Sequence, residues 1–263
     1  MTADSAIPAP PVAPREPGWG LPRGPRALAR RLVEESARAL GAIVGVRTDQ
    51  RAVALTFDDG PHPEDTPAML EVLRRHGARG TFFFLGKNAA RHPELVAQAA
   101  AEGHAIASHG WDHASFALIK GRNRRAQLRW TAEALAPHGL PLFRPPYGEL
   151  GPAGRLDVLR AGHRLVCWDA LAEDWAGDPA GVLVDRVLRR VRPGSIVLFH
   201  DTLASAVADA DRDRGPTREA VALLVAKLAG TQFLTVPQLL SLGPPVRWHW
   251  YRRARLDWHR RLV

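Results

Sequence analysis

At 263 residues the chain exceeds a minimal domain and suits one α/β domain with tails, long enough to bury a full hydrophobic core. A formal net charge of +9 permits attraction to anionic partners, yet the cations cluster at residues 23–31, 122–129 and 247–261, so the excess belongs to the tails and one helix. The single cysteine, Cys167, excludes an internal disulfide framework and a cysteine-based zinc site, and no apolar run reaches the roughly 18–20 residues of a membrane span.

Residues 1–24 carry Pro8, Pro10, Pro11, Pro14, Pro17 and Pro22 among small residues, too little apolar surface to offset ordering entropy, and read as a disordered arm. No basic stretch followed by an apolar one opens the chain, so a cytoplasmic location is expected, with membrane association left to the tail. From Pro25 to about Val44, Leu28, Leu32, Leu40 and Ile43 share a face behind Arg26, Arg30 and Arg31, which predicts an amphipathic helix within a segment spanning 25–48.

Beyond Arg51, short apolar runs alternate with helical patterns. The runs are Ala52–Phe57, Gly80–Leu85, Ala105–His109, Leu142–Arg144, His163–Trp168, Ser195–His200 and Phe233–Val236. Helices are predicted at about 67–76, 89–102, 121–136, 153–161, 179–191 and 217–229. Such alternation argues for parallel βα units, and strands this continuously apolar favour a distorted, partly irregular, TIM-like (β/α) barrel of about seven parallel strands over a catalytic domain at 49–243. A doubly wound open sheet is the alternative, since periodicity does not report closure.

Polar residues fall where the runs end. Asp58 and Asp59 follow the first, His109 and His113 the third, Arg144 the fourth, Asp174 and Trp175 the fifth, and His200 with Asp201 the sixth. The C-terminal ends of parallel strands share one mouth, so these residues are expected together. Asp58-Asp59-Gly60-Pro61 alone also reads as a turn; at a strand end, one carboxylate could hold a metal while its neighbour faces a reacting water. His109 and His113, four apart around Gly110, form with Asp59 a two-histidine, one-carboxylate set that suits zinc or another divalent first-row metal, with Asp112 as a rival ligand. Arg144-Pro145-Pro146-Tyr147 is rigid backbone that could set a planar cation against Asp58 and aim the Tyr147 N–H at a developing oxyanion. His200 could act as an acid supported by Asp174, with Trp175 walling an apolar pocket.

Taken in order, Thr-Phe-Asp-Asp-Gly-Pro (56–61), His-x-x-x-His (109–113), Arg-Pro-Pro-Tyr (144–147), Asp-Trp (174–175) and Leu-x-His (198–200) resemble the five motifs of the polysaccharide deacetylases, the NodB-homology group or carbohydrate esterase family four. The resemblance spans about residues 50–242. It implies a distorted (β/α) barrel hydrolysing N-acetyl amides of a carbohydrate or glycoconjugate, with one divalent ion on Asp59, His109 and His113. Zinc is the first choice, and cobalt, nickel, manganese or iron are alternatives. It further implies Asp58 as base beside Arg144, His200 as acid oriented by Asp174, and Trp175 and Leu198 lining an acetyl pocket. A non-catalytic relative would be expected to lack Asp58 or His200, and both are present. Three departures stand out: Gly110 where many members carry Ser or Thr that braces the loop, Leu171 where several carry an acid, and no export signal.

The tail at 244–263 mixes Arg247, Arg252, Arg253, Arg255, Arg260 and Arg261 with Trp248, Trp250, Tyr251 and Trp258. Peripheral membrane contact through 247–261 and a terminal helix packing its tryptophans on the barrel are the two expectations, and nucleic acid is disfavoured. The sequence is silent on oligomeric state.

Overall fold

The computed structural model describes residues 41–205 and 212–250. The expected arm at 1–24, the N-terminal helix before residue 41 and the tail at 251–263 lie outside the described residues. In chain order the elements are β1 (Ala42–Val46), β2 (Ala52–Asp58), α1 (Asp65–Arg75), β3 (Gly80–Phe84), α2 (Gly86–Ala89), α3 (Pro93–Ala101), β4 (Ala105–Ser108), α4 (Gly121–Leu135), β5 (Gly139–Phe143), α5 (Pro152–Arg160), β6 (Arg164–Leu165), β7 (Ala170–Leu171), α6 (Ala180–Leu188), β8 (Ile196–His200), α7 (Gly215–Lys227), β9 (Gln232–Phe233), α8 (Val236–Leu240) and β10 (Pro245–Trp248).

Seven parallel strands curl into a distorted barrel in the order β6-β5-β4-β3-β2-β8-β7, with β9 pairing the start of β2. Side chains alternate along each strand. Ala52 and Ala54 of β2, Phe83 of β3, Ala107 of β4 and Ile196 and Leu198 of β8 fill the barrel interior. Their neighbours Leu55, Phe57, Phe82, Phe84, Ile106, Val197 and Phe199 form the second core beneath the helices. There Phe57 stacks on Phe82 at 5.0 Å and on Phe199 at 6.2 Å. Each such side chain removed from water contributes about 1.5–3 kcal/mol, so the continuous apolar runs are explained by burial on both faces. The same alternation points Thr56 and Asp58 inward and sets Asp58 opposite His200 in the β2–β8 register.

The barrel is not closed by β6 and β7. The expected strand at His163–Trp168 is reduced to Arg164–Leu165, and the chain resumes pairing only at Ala170–Leu171 on the opposite edge. Between them the backbone turns to β1: Cys167 N–H donates to Ile43 O at 2.7 Å, and Val46 N–H donates to Gly194 O at 2.8 Å, so β1 touches both sides of the seam.

That role corrects the expectation of a helix running to Val44 and of a domain starting at 49. Ala42–Val46 is fully buried, and Ile43, Val44 and Val46 favour extended backbone where both faces are covered. β1 pairs antiparallel with β10, Ala42 opposite Trp248 and Val46 opposite Pro245, so the expected boundaries at 49 and 243 both fall within the fold. Residues 245–248 of the expected tail are strand, not helix. The helix expected over 89–102 is two, because Pro93 has no N–H with which to continue the first and instead opens the second. No helix among the described residues is long and apolar enough to cross a membrane.

Candidate active site

Asp58 ends β2 facing inward, and Asp59 should alternate away from it. It does not, because Asp59 adopts a left-handed backbone (φ 83°) that turns its side chain back to the mouth. Both carboxylates are buried. Asp59 Oδ2 accepts the Ala204 N–H at 2.9 Å, while Oδ1 has no hydrogen-bond partner. That oxygen lies 3.4 Å from His109 Nε2 and 3.2 Å from His113 Nε2.

His109 Nδ1 donates to the Arg144 carbonyl at 2.9 Å, which leaves the Nε2 lone pair aimed into the cluster. His113, also left-handed (φ 64°), is held by the Tyr147 ring at 4.3 Å and by Ser205 Oγ at 3.4 Å from Nδ1. Burial lowers His113 to about 4, opposed by the Asp59 charge, so its imidazole is neutral at neutral pH. Burial raises Asp59, but the charges of His113, His200 and His109 outweigh it and lower the carboxyl below its ordinary value. A buried carboxylate oxygen without a donor, converging with two Nε2 atoms, is an arrangement suited to a divalent ion. Among the described residues, Asp59, His109 and His113 form the group that could hold one, with ligand atoms all within 4.8 Å.

Asp112 does not compete. Its Oδ1 accepts from Gln127 Nε2 and from the Ala114 N–H at 3.2 Å, and Gln127 Oε1 accepts the Trp111 N–H at 2.9 Å. Gln127 and Asp112 thereby brace the loop that Gly110 leaves without a hydroxyl. Gly110 itself is left-handed (φ 83°), and a Cβ there would crowd Gln127 and Phe116.

Arg144 sits fully buried at the end of β5. Its Nη1 donates to Asp58 Oδ1 at 2.7 Å and to Thr56 Oγ1 at 2.8 Å, Nη2 donates to Cys167 O at 3.1 Å, and the guanidinium lies 4.1 Å from the Phe83 ring centre. A buried cation so completely partnered fixes Asp58 in place. Asp58 Oδ2 is left 3.7 Å from His109 Nε2, on the side of the metal donors.

Across the mouth, His200 Nδ1 lies 2.9 Å from Asp174 Oδ1, and the His200 N–H donates to Oδ2 at 2.9 Å. Burial lowers the imidazolium, but the Asp174 charge and hydrogen bond, aided by Asp59 and Asp58, raise His200 to about 9. Asp174 is correspondingly lowered against the burial that would raise it. Trp175 meets His200 edge-on at 5.4 Å, and Leu198 lies two residues back along β8 inside the barrel.

Sequence reasoning missed the groups that support this pair. Arg214, fully buried, donates to the Asp174 carbonyl at 2.9 Å, and Thr217 Oγ1 donates to Asp174 Oδ2 at 3.3 Å. Arg214 stands in the run Asp211-Arg212-Asp213-Arg214, whose alternating charge reads as a solvated loop, so no local signal marks it. Ser205 and the Ala204 N–H were equally silent, because a loop's return to a distant strand end has no periodicity. Asp201 points away from His200, accepting from Thr66 Oγ1 and the Gly60 N–H; burial raises it to about 7.

The sequence pattern of the polysaccharide deacetylase family matches residues 45–166. A chitooligosaccharide deacetylase of Azorhizobium caulinodans is 33% identical over 205 residues, covering 75% of this chain and 98% of that protein. The chain belongs to the polysaccharide deacetylase family. A peptidoglycan-N-acetylglucosamine deacetylase of Bacillus cereus is 34% identical over 196 residues, covering 72% of this chain and 68% of that protein. Among solved structures, a peptidoglycan N-acetylglucosamine deacetylase bound to an N-oxidanyl-benzamide superposes with a TM-score of 0.70 at 29% identity, covering 84% of this chain and 97% of that one. A family 4 carbohydrate esterase from Streptomyces lividans in complex with acetate gives 0.64 at 29%, covering 73% and 96%. As a polysaccharide deacetylase, the chain is a hydrolase of non-peptide amide bonds, and its family is metal-dependent.

Proposed function

We propose that the protein removes the N-acetyl group from an acetylated amino sugar in an oligosaccharide, polysaccharide or glycoconjugate. The observation that carries this is the convergence of an Asp59 oxygen without a hydrogen-bond partner with two imidazole Nε2 atoms, between the Arg144-held carboxylate of Asp58 on one side and the Asp174-paired imidazole of His200 on the other. Chitooligosaccharide and peptidoglycan relatives support the substrate class.

Asp59, His109 and His113 would hold one divalent ion, for which two imidazoles and a carboxylate favour zinc. Such an ion, when bound, supplies Lewis-acid polarisation of the amide carbonyl and acidification of a water. Asp58, clamped through Oδ1 by Arg144, presents Oδ2 as the acceptor of the water's proton. The left-handed Tyr147 turn offers its backbone N–H to the carbonyl oxygen as negative charge gathers there. His200, kept protonated by Asp174, donates a proton to the departing amine, a step typically worth about 10² to 10⁴ in rate. Trp175 and Leu198 wall the methyl of the acetyl group away from water.

Acetate release from N-acetylhexosamine oligomers, peptidoglycan fragments and glycolipids, with chelator treatment and metal add-back, tests the reading. Asp58→Asn and His200→Ala should each nearly abolish release while metal content stays unchanged. Full activity in either variant would sink the assignment.

A further inference from the structure

Trp250 follows β10 in what the sequence reads as tail, yet it is only 4% exposed. Its indole Nε1–H donates to the Gly148 carbonyl at 2.9 Å, and its ring meets Trp168 edge-on at 4.9 Å. Gly148 is the second of two consecutive left-handed residues, Tyr147 (φ 57°) and Gly148 (φ 66°). A tyrosine holds that conformation only where its surroundings impose it. Within the turn the Gly148 N–H donates to Pro145 O at 2.9 Å and the Glu149 N–H to Pro146 O at 3.0 Å. These local bonds close the turn but do not orient it on the barrel. The Trp250 bond does, because β10 is anchored to β1, and β1 to Cys167 at the seam. What the turn carries is the Tyr147 ring, 4.3 Å from His113, and the Tyr147 hydroxyl, 3.1 Å from Ser205 Oγ.

We propose that Trp250 is a positioning residue of the active site: its indole N–H pins the Tyr147–Gly148 turn, so the segment that follows β10 supplies part of the wall that sets Tyr147 against His113. The kinetic consequence rests on the deacetylase reading; the structural one does not.

Two substitutions in the full chain separate hydrogen bond from packing. Trp250→Phe keeps an aromatic ring against Trp168 but removes the donor. Trp250→His keeps a ring N–H at the corresponding position, since Nε2 of imidazole and Nε1 of indole stand at the same place in their five-membered rings, and removes the fused ring. The expected result for Trp250→Phe is a kcat lowered roughly ten- to a hundred-fold, as displacement of a positioned group by about 1 Å costs, with KM and metal content little changed. Amide hydrogen exchange across 145–149 should quicken in the same variant. Trp250→His should retain most of kcat and the slow exchange. Wild-type kcat or exchange in Trp250→Phe, equal losses in both variants, or a loss matching the drop in folded or metal-bound fraction would overturn the proposal. Should the unaltered protein bind metal and release no acetate from any substrate, the deacetylase reading fails, and exchange in the two variants still decides the role of Trp250.

Discussion

Replacing Asp174 with Asn removes one charge while leaving an oxygen for His200 Nδ1, now 2.9 Å from Asp174 Oδ1. In the native site burial pushes the imidazolium down, and the Asp174 charge is the largest influence raising it to about 9. Without that charge only Asp59 and Asp58 oppose burial, so His200 should fall to about 6.5 or lower, its ordinary value. At pH 7.5 the protonated fraction then drops from about 97% to about 9%, a roughly ten-fold loss of the acid form. Titration of the His200 ring by NMR in metal-free protein reads the change directly, and the alkaline limb of kcat should move to lower pH. The same pair links to stability. Because the folded value is raised, its contribution of about 3 kcal/mol is complete below about pH 6.5 and is lost as pH rises through about 9. The stability gap between metal-free wild type and Asp174→Asn should therefore narrow by that amount on going alkaline. A ring that still titrates above about pH 8 in the variant would refute the reasoning.

Removing either imidazole of the donor set, His109→Ala or His113→Ala, should abolish stoichiometric metal retention on dialysis, whereas Asp112→Asn should retain it, as measured by elemental analysis. Arg144→Met leaves Asp58 buried without its cation and should cost about 3–5 kcal/mol in urea unfolding of the metal-free protein; an unchanged midpoint would contradict the clamp. Gly194→Ala places a Cβ against the Val46 carbonyl at a left-handed position (φ 83°), and about 1–3 kcal/mol of lost stability, read as a lowered Tm, is the expected outcome.

The barrel was legible because burial on both faces leaves a clear trace: Ala52–Phe57, Gly80–Leu85 and Ser195–His200 are mostly apolar, broken inside only by Thr56 and Thr81, and the first and last end at the polar residues Asp58 and His200. The donor set was legible for the same reason, since strand ends in a parallel barrel share one mouth. β1 was not. Its five residues continue a leucine-rich helical pattern, and only the seam between β6 and β7, invisible in any local window, makes extended backbone the better solution for Ile43, Val44 and Val46. Asp59 reaches the mouth as expected from its place at a strand end, but strict alternation does not explain how: its left-handed backbone breaks the two-residue period and turns the side chain back beside Asp58. Arg214 and Ser205 act across long sequence separations from loops whose composition resembles solvated surface, and loop closure has no periodicity to read.

Asp58 and His200 end neighbouring strands and sit opposite one another in a parallel ladder, whereas His109, His113, Tyr147 and Ser205 are carried by connections between elements. Asp58 and His200, the groups proposed to accept and donate protons, cannot separate without breaking sheet hydrogen bonds, but the connections can lengthen, shorten or change residue while the ladder stands. Change in this fold is thus channelled: the rim can be rebuilt, while the spacing of Asp58 and His200 is held by the ladder itself.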